Sequence, residues 1–168
     1  MGSQRRKCVS TLQRAIEIAV TAHSGQVDKA GAPYVLHPLR VMHSLRAESV
    51  ETQIVGVLHD VVEDCEGWTF ERLGSEGFSA AVIEALRAVT KLPEEERAQK
   101  SATTPEDKFA AYETFVLRAA KNAIGRRVKL ADLRDNCDLS RIAEPSAKDY
   151  VRVGRYQRAI ARLAADGR

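Results

Sequence analysis

His59, Asp60, Glu63 and Asp64 punctuate the most apolar stretch of this 168-residue chain, IVGVLHDVVED. Burying unpaired carboxylates costs several kcal/mol, so three acids on one core helix call for a compensating cation or a polar cleft. Asp60, Glu63 and Asp64 stand at i, i+3 and i+4, and His59 lies four before Glu63, so all four can address one side of a helix. Two readings follow from spacing alone. A solvent-facing acidic stripe accounts for Glu63 and Asp64. A metal cleft accounts better for His59-Asp60, which is flanked by Val57-Leu58 and Val61-Val62. Imidazole and carboxylate together suit a divalent ion such as Mn, Fe, Zn or Mg.

Further ligands would have to come from elsewhere, and the chain has only four histidines. His37 precedes Pro38 at the mouth of a helix, where a ring can point into a cleft. His23 closes the first helix, a place that favours a cation. His43, beside Met42 and Ser44, reads as a surface residue. On a late helix Asp132 interrupts Val128, Leu130, Ala131 and Leu133. It is either a ligand or an ion-pair partner for Lys129 or Arg134.

The elements that must position these groups read as helices throughout. The length suits one domain. With 44% hydrophobic but only 5% aromatic residues, the core must rest on Leu, Val, Ile and Ala. Ser10 and Gln13 form a capping box for a helix to about Ser24, and a Gly- and Pro-containing loop spans 25–33. Helices are expected over about 35–47 and 50–65, with a short one near 69–73 and another opening at Ser79. Lys91 to Thr104 is charged, carries Pro93 and reads as a surface loop or a partly mobile flap. Thr104-Pro105-Glu106-Asp107 is a strong helix start, leading to about Asn122. The last two helices cover about 125–139 and 146–165. No alternating strand pattern persists, so the class is all-α, with about six to eight helices.

The net charge of +3 is small and compatible with an anionic small substrate, without favouring nucleic acid. Much of it comes from Arg5-Arg6-Lys7 and Arg126-Arg127. Three scattered cysteines with no CxxC pair argue against a disulfide framework or thiolate cluster and suit a reducing compartment. No apolar run approaches the ~20 residues of a membrane span, and no signal-peptide stretch opens the chain. A cytoplasmic location is the expectation, and nothing in the sequence excludes a homo-oligomer.

Taken together, AHSGQVDKAGAPYVLHP, GVLHDVVED, AVTKL and VKLADLRDN resemble the HD-domain hydrolases. They are most similar to the hydrolase module of the RelA/SpoT proteins and to the small alarmone hydrolases. The resemblance runs from about Ala15 to Asn136, with the four motifs in order. It implies a single helical HD-type domain over residues 1–168, with a motif-bearing core of about 10–140 and a C-terminal helix of about 146–165. It implies one Mn²⁺ held by His37, His59, Asp60 and Asp132, with Glu63 and Asp64 as the acid/base pair; His23 is not a ligand in that family. Lys29 would meet phosphate and Asn136 the nucleoside. The implied reaction is removal of the 3′-pyrophosphate from guanosine tetra- or pentaphosphate, with degradation alone expected and no synthetase module. The alternatives are hydrolysis of another nucleotide, such as a nucleoside monophosphate or NADPH, and a non-catalytic nucleotide-sensing module. The chain departs from the family pattern at three places. Asp28 stands where an Arg packs on guanine, Asp135 where His or Tyr is usual, and Asp138 where a basic residue is common.

Overall fold

Side chains with both a short polar reach and an extended backbone start most of the helices. Thr11, Ser49, Thr69, Ser79, Thr104 and Asn122 each accept the backbone N–H of the residue three positions on. Each such cap contributes on the order of 1 kcal/mol. The computed structural model describes residues 10–165; Arg5-Arg6-Lys7 and Cys8 lie outside the described residues. The helices are α1 (Leu12–Ala22), α2 (Leu36–Ser44), α3 (Val50–Leu58), α4 (Val61–Asp64), α5 (Phe70–Ser75), α6 (Ala80–Val89), α7 (Pro93–Ser101), α8 (Pro105–Ala120), α9 (Ala123–Asn136) and α10 (Ala147–Ala165). Among the described residues there is no strand, only a single bridge between Val27 and Pro33. No described helix is long and apolar enough to cross a membrane.

The nearly all-apolar α3 is the central rod, packed by α1, α2, α6 and α9. Its residues Ile54 to Leu58 are all buried. They join Ala15, Ile18, Val41, Val82, Leu86 and Val128 in the main core. A second cluster, with Tyr112, Phe115, Val116, Leu133, Ala159 and Leu163, joins α8, α9 and α10. Helix α9 faces both clusters, with Val128 and Ala131 in the first and Leu133 in the second.

Three expectations are corrected. The first helix is capped by Thr11, not Ser10, because the Thr11 hydroxyl takes the Arg14 N–H. The helix expected over 50–65 is interrupted at His59-Asp60. There the Gly56 carbonyl accepts from His59 Nδ1 at 2.9 Å, a side-chain competitor for an acceptor that an unbroken helix would give to Asp60. The segment expected as a surface loop carries α7. Pro93 opens that helix, Glu94 to Glu96 sit at its positive end, and Glu95 accepts the Leu92 N–H.

Candidate metal centre

The break between α3 and α4 sets Asp60 in the wall of a cavity of about 510 Å³, with His59 buried directly behind it. His37 enters from the first turn of α2 and Asp132 from the middle of α9. His37 Nε2 lies 3.6 Å from Asp60 Oδ2 and 3.3 Å from Asp132 Oδ1. His59 Nε2 lies 3.0 Å from the same Asp60 oxygen and 3.7 Å from the same Asp132 oxygen. Four donor atoms thus form a ring with edges of 3.0 to 3.7 Å. Ligands about 2.1 Å from one ion stand roughly 3.0–3.5 Å apart, so these edges approach the spacing of a coordination shell. His37, His59 and Asp132 are all buried and mutually close enough to share an ion.

The decisive atom is His59 Nε2, which is buried without a hydrogen-bond partner although Asp60 Oδ2 is near. His59 Nδ1 is committed to the Gly56 carbonyl, which can only accept. Nδ1 is thus the donor to that carbonyl, and Nε2 is the ring nitrogen left facing the cluster, with a lone pair to offer an ion once it carries no proton. A buried imidazole lone pair between two carboxylates fits a divalent cation, the group that an HD domain implies.

Each of the other three donors is held by an outer partner. Tyr34 donates its hydroxyl to Asp60 Oδ2 at 2.7 Å. Lys129 donates to Asp132 Oδ2 at 2.8 Å, and the Asn136 amide bonds Asp132 Oδ1 and the Asp132 carbonyl. His37 Nδ1 meets Asp135 Oδ2 at 2.7 Å. Asp132 therefore pairs with Lys129 through one oxygen while the other faces the imidazoles. Burial alone would push the Asp132 and Asp60 carboxyls up. Lys129 and the two imidazoles reverse this for Asp132, and His59 and His37 reverse it for Asp60, holding both well below the usual carboxylate range. Burial works against the Lys129 ammonium, but Asp132 keeps it charged.

Glu63 and Asp64 line the same cavity but in different states. Glu63 accepts from the Lys91 backbone N–H at 3.2 Å and pairs with the Lys91 ammonium. Asp64 is open to solvent on one side. Loss of hydration on the other, with the Asp60 and Glu63 charges beside it, pushes its carboxyl up to about 6.

Lys29 and Asn136 also line the cavity, Lys29 at its rim and Asn136 tied to Asp132. His43 is exposed, as expected, on the flank of α2. His23 corrects the alternative of a cation at a helix end. It is 2% exposed, burial holds its imidazole below the ordinary value, and it bonds Gln26 and Cys65. Asp28 does not face the cavity as a bare charge. Its Oδ1 accepts the Ala30 and Ala32 N–H groups, closing the loop, and its Oδ2 lies 3.5 Å from Arg141.

Tyr34, Asp135, Arg141, Arg152 and Tyr156 were not expected at the site. Tyr34 stands three before His37 in the same motif, a spacing that could have flagged it. Asp135 is three beyond Asp132 on one face of α9, but its partner His37 is 98 residues away and no local signal connects them.

A family model described as HD domain matches residues 15–134. A probable GTP pyrophosphokinase of Mycobacterium leprae is 41% identical over 86 residues, 50% of this chain and 11% of that protein. A guanosine-3′,5′-bis(diphosphate) 3′-pyrophosphohydrolase of Vibrio cholerae is 29% identical over 146 residues, 85% of this chain and 20% of that protein. The chain thus spans no more than a fifth of the length of either relative. A solved structure described as "A metazoan ortholog of SpoT hydrolyzes ppGpp and plays a role in starvation responses" superposes with a TM-score of 0.68 at 23% identity. The match covers 97% of this chain and 88% of that one, so the two share a fold.

Proposed function

The chain belongs to the HD-domain family, and from that premise we propose that it is a Mn²⁺-dependent phosphohydrolase that removes the 3′-pyrophosphate from guanosine tetra- or pentaphosphate in the cytosol. The observation that carries this reading is the convergence of His37 Nε2, Asp60 Oδ2 and Asp132 Oδ1 on one cavity, with the buried His59 Nε2 directly behind them. Relatives named for this reaction in Vibrio cholerae and Aquifex aeolicus support the substrate class. The free thiols of Cys65 and Cys137 support a reducing compartment.

In this reading His37, His59, Asp60 and Asp132 hold the ion. When bound, it supplies Lewis acidity, making water acidic enough to attack near neutral pH and drawing charge from a phosphoryl oxygen. Asp64, with its carboxyl raised to about 6, is protonated often enough to deliver a proton to the departing ribose 3′ oxygen. Glu63, its carboxylate held by Lys91, orients the incoming water. Lys29, Arg141 and Arg152 line the cavity and offer positive charge to the remaining phosphates. The Asn136 amide nitrogen is committed to Asp132, leaving its oxygen for the nucleoside. Arg141, paired with Asp28, supplies a planar guanidinium beside the loop where Asp28 lacks one.

The test is a Mn²⁺-supported hydrolysis screen of guanosine tetra- and pentaphosphate, NADPH and nucleoside monophosphates. Pyrophosphate release from the guanosine polyphosphates is the expected result, and Asp60→Ala should lose both Mn²⁺ binding and turnover while its helical circular dichroism remains. Turnover of NADPH or a monophosphate alone would reassign the substrate. Bound Mn²⁺ with no turnover at all would make the domain a sensor.

A further inference from the structure

Asp135 is one of the places where the chain departs from the motif it otherwise follows. Its carboxylate is largely buried, with a side-chain exposure of 13%. Arg40 Nε donates to its Oδ1 at 2.8 Å and Arg40 Nη2 to its Oδ2 at 3.1 Å. The Arg141 guanidinium stands 3.5 Å from Oδ2 and bonds the Asp135 backbone carbonyl. Flanked by two guanidinium groups, this carboxylate is an acceptor only. Its 2.7 Å contact with His37 therefore requires the ring proton on Nδ1.

We infer that Asp135 is a positioning residue for the metal centre, one that fixes His37 in the Nδ1–H form so that Nε2 presents its lone pair beside Asp60 and Asp132. The inference rests on the metal reading proposed above. A carboxylate on the distal nitrogen of a ligating histidine sets its tautomer and orientation and raises its basicity. Arg40 in turn aims the carboxylate by a two-point contact that leaves it little rotational freedom. Asp135 thus does for His37 what the Gly56 carbonyl does for His59, but through a charged group borne on α9, the helix that also supplies Asp132. One helix therefore contributes a ligand and aims a second ligand carried by α2.

The experiment measures Mn²⁺ affinity by calorimetry in the wild type, Asp135→Ala, Asp135→Asn and Arg40→Ala, alongside thermal melting. It also records imidazole ¹⁵N spectra of the Zn²⁺-loaded full chain. Asp135→Ala should bind Mn²⁺ about 10–100-fold more weakly, the cost typical of losing such a partner, and kcat should fall more than KM rises. Asp135→Asn, which keeps an acceptor oxygen, should restore part of the affinity. Arg40→Ala should lower the melting temperature more than it lowers affinity. In the wild type the His37 Nδ1–H should be strongly hydrogen-bonded and slow to exchange with water. A wild type that binds Mn²⁺ paired with an Asp135→Ala variant of equal affinity overturns the inference and leaves the metal reading intact. If Asp135→Ala fails to fold, a rapidly exchanging wild-type His37 Nδ1–H overturns it equally. A wild type that binds neither Mn²⁺ nor Zn²⁺ removes the metal reading, and the inference falls with it.

Discussion

Two adjacent acids, Glu63 and Asp64, line the cavity at the candidate metal centre with different electrostatic surroundings. Glu63 is held by Lys91, whereas loss of hydration and the neighbouring Asp60 and Glu63 charges raise the Asp64 carboxyl to about 6. Replacing Asp64 by Asn should cost about 10²–10⁴ in kcat if it moves the proton, with Mn²⁺ affinity retained. Glu63→Gln should also keep the ion and lose rate, read in the same assay. The raised Asp64 carboxyl has a linked cost in stability. The folded state binds this proton more tightly than the unfolded chain does, so the penalty is full above about pH 6 and absent below the unfolded value. Metal-free Asp64→Asn should therefore melt above wild type at pH 7.5, and the difference should vanish near pH 4. That His59-Asp60 would gather other polar groups was legible at this scale, because polar groups amid Val57-Leu58 and Val61-Val62 demand a partner. The protonation states were not, because they depend on neighbours brought in from other helices.

Helix α7 is the element least visible in the sequence, since it has no apolar face to create a period. It is held by one polar anchor. Glu95, 7% exposed, receives Arg118 Nε at 2.6 Å and Nη2 at 2.8 Å, and Arg118 also bonds the Thr90 carbonyl at 2.8 Å. Burial would raise the Glu95 carboxyl, but Arg118 and the Leu92 N–H hold it below its ordinary value. A depressed carboxyl stabilises the fold above the unfolded value, and that contribution is lost as pH falls through the folded one. Glu95→Gln should thus be less stable than wild type at pH 7, with the two melting curves converging as the pH is lowered toward 3. Hydrogen exchange over 93–101 should rise in the variant. The start signal was present, with Pro93 followed by three glutamates, but a charged segment without hydrophobic spacing reads equally as a loop. The split of the expected 50–65 helix has a similar origin. His59 takes the Gly56 carbonyl, a competition that residue spacing does not reveal.

For the whole molecule, the second apolar cluster borders the cavity through Tyr112 and Tyr156, and Phe115 links that cluster to the polar site. It is fully buried, and the Lys129 ammonium that pairs with Asp132 lies 4.6 Å above its ring. Phe115→Ala should cost about 3–5 kcal/mol of stability, measured by denaturant unfolding. Because the ring also supports the Lys129–Asp132 pair, Mn²⁺ affinity should weaken in the folded fraction; unchanged affinity would separate core from site. The sequence by itself determined the helical class, most helix starts and the residue types that gather at the candidate metal centre. Those properties rest on short-range spacing, capping and side-chain chemistry. Only the tertiary structure decided that the His37 and His59 Nε2 atoms each stand 3.0 to 3.7 Å from Asp60 Oδ2 and Asp132 Oδ1. It also decided that Asp135, a mismatch in the motif, turns toward His37, and that the Asp64 carboxyl is raised. Ligation, tautomers and proton affinity depend on distance and burial, which in this chain are set by helices as far apart in sequence as α2 and α9.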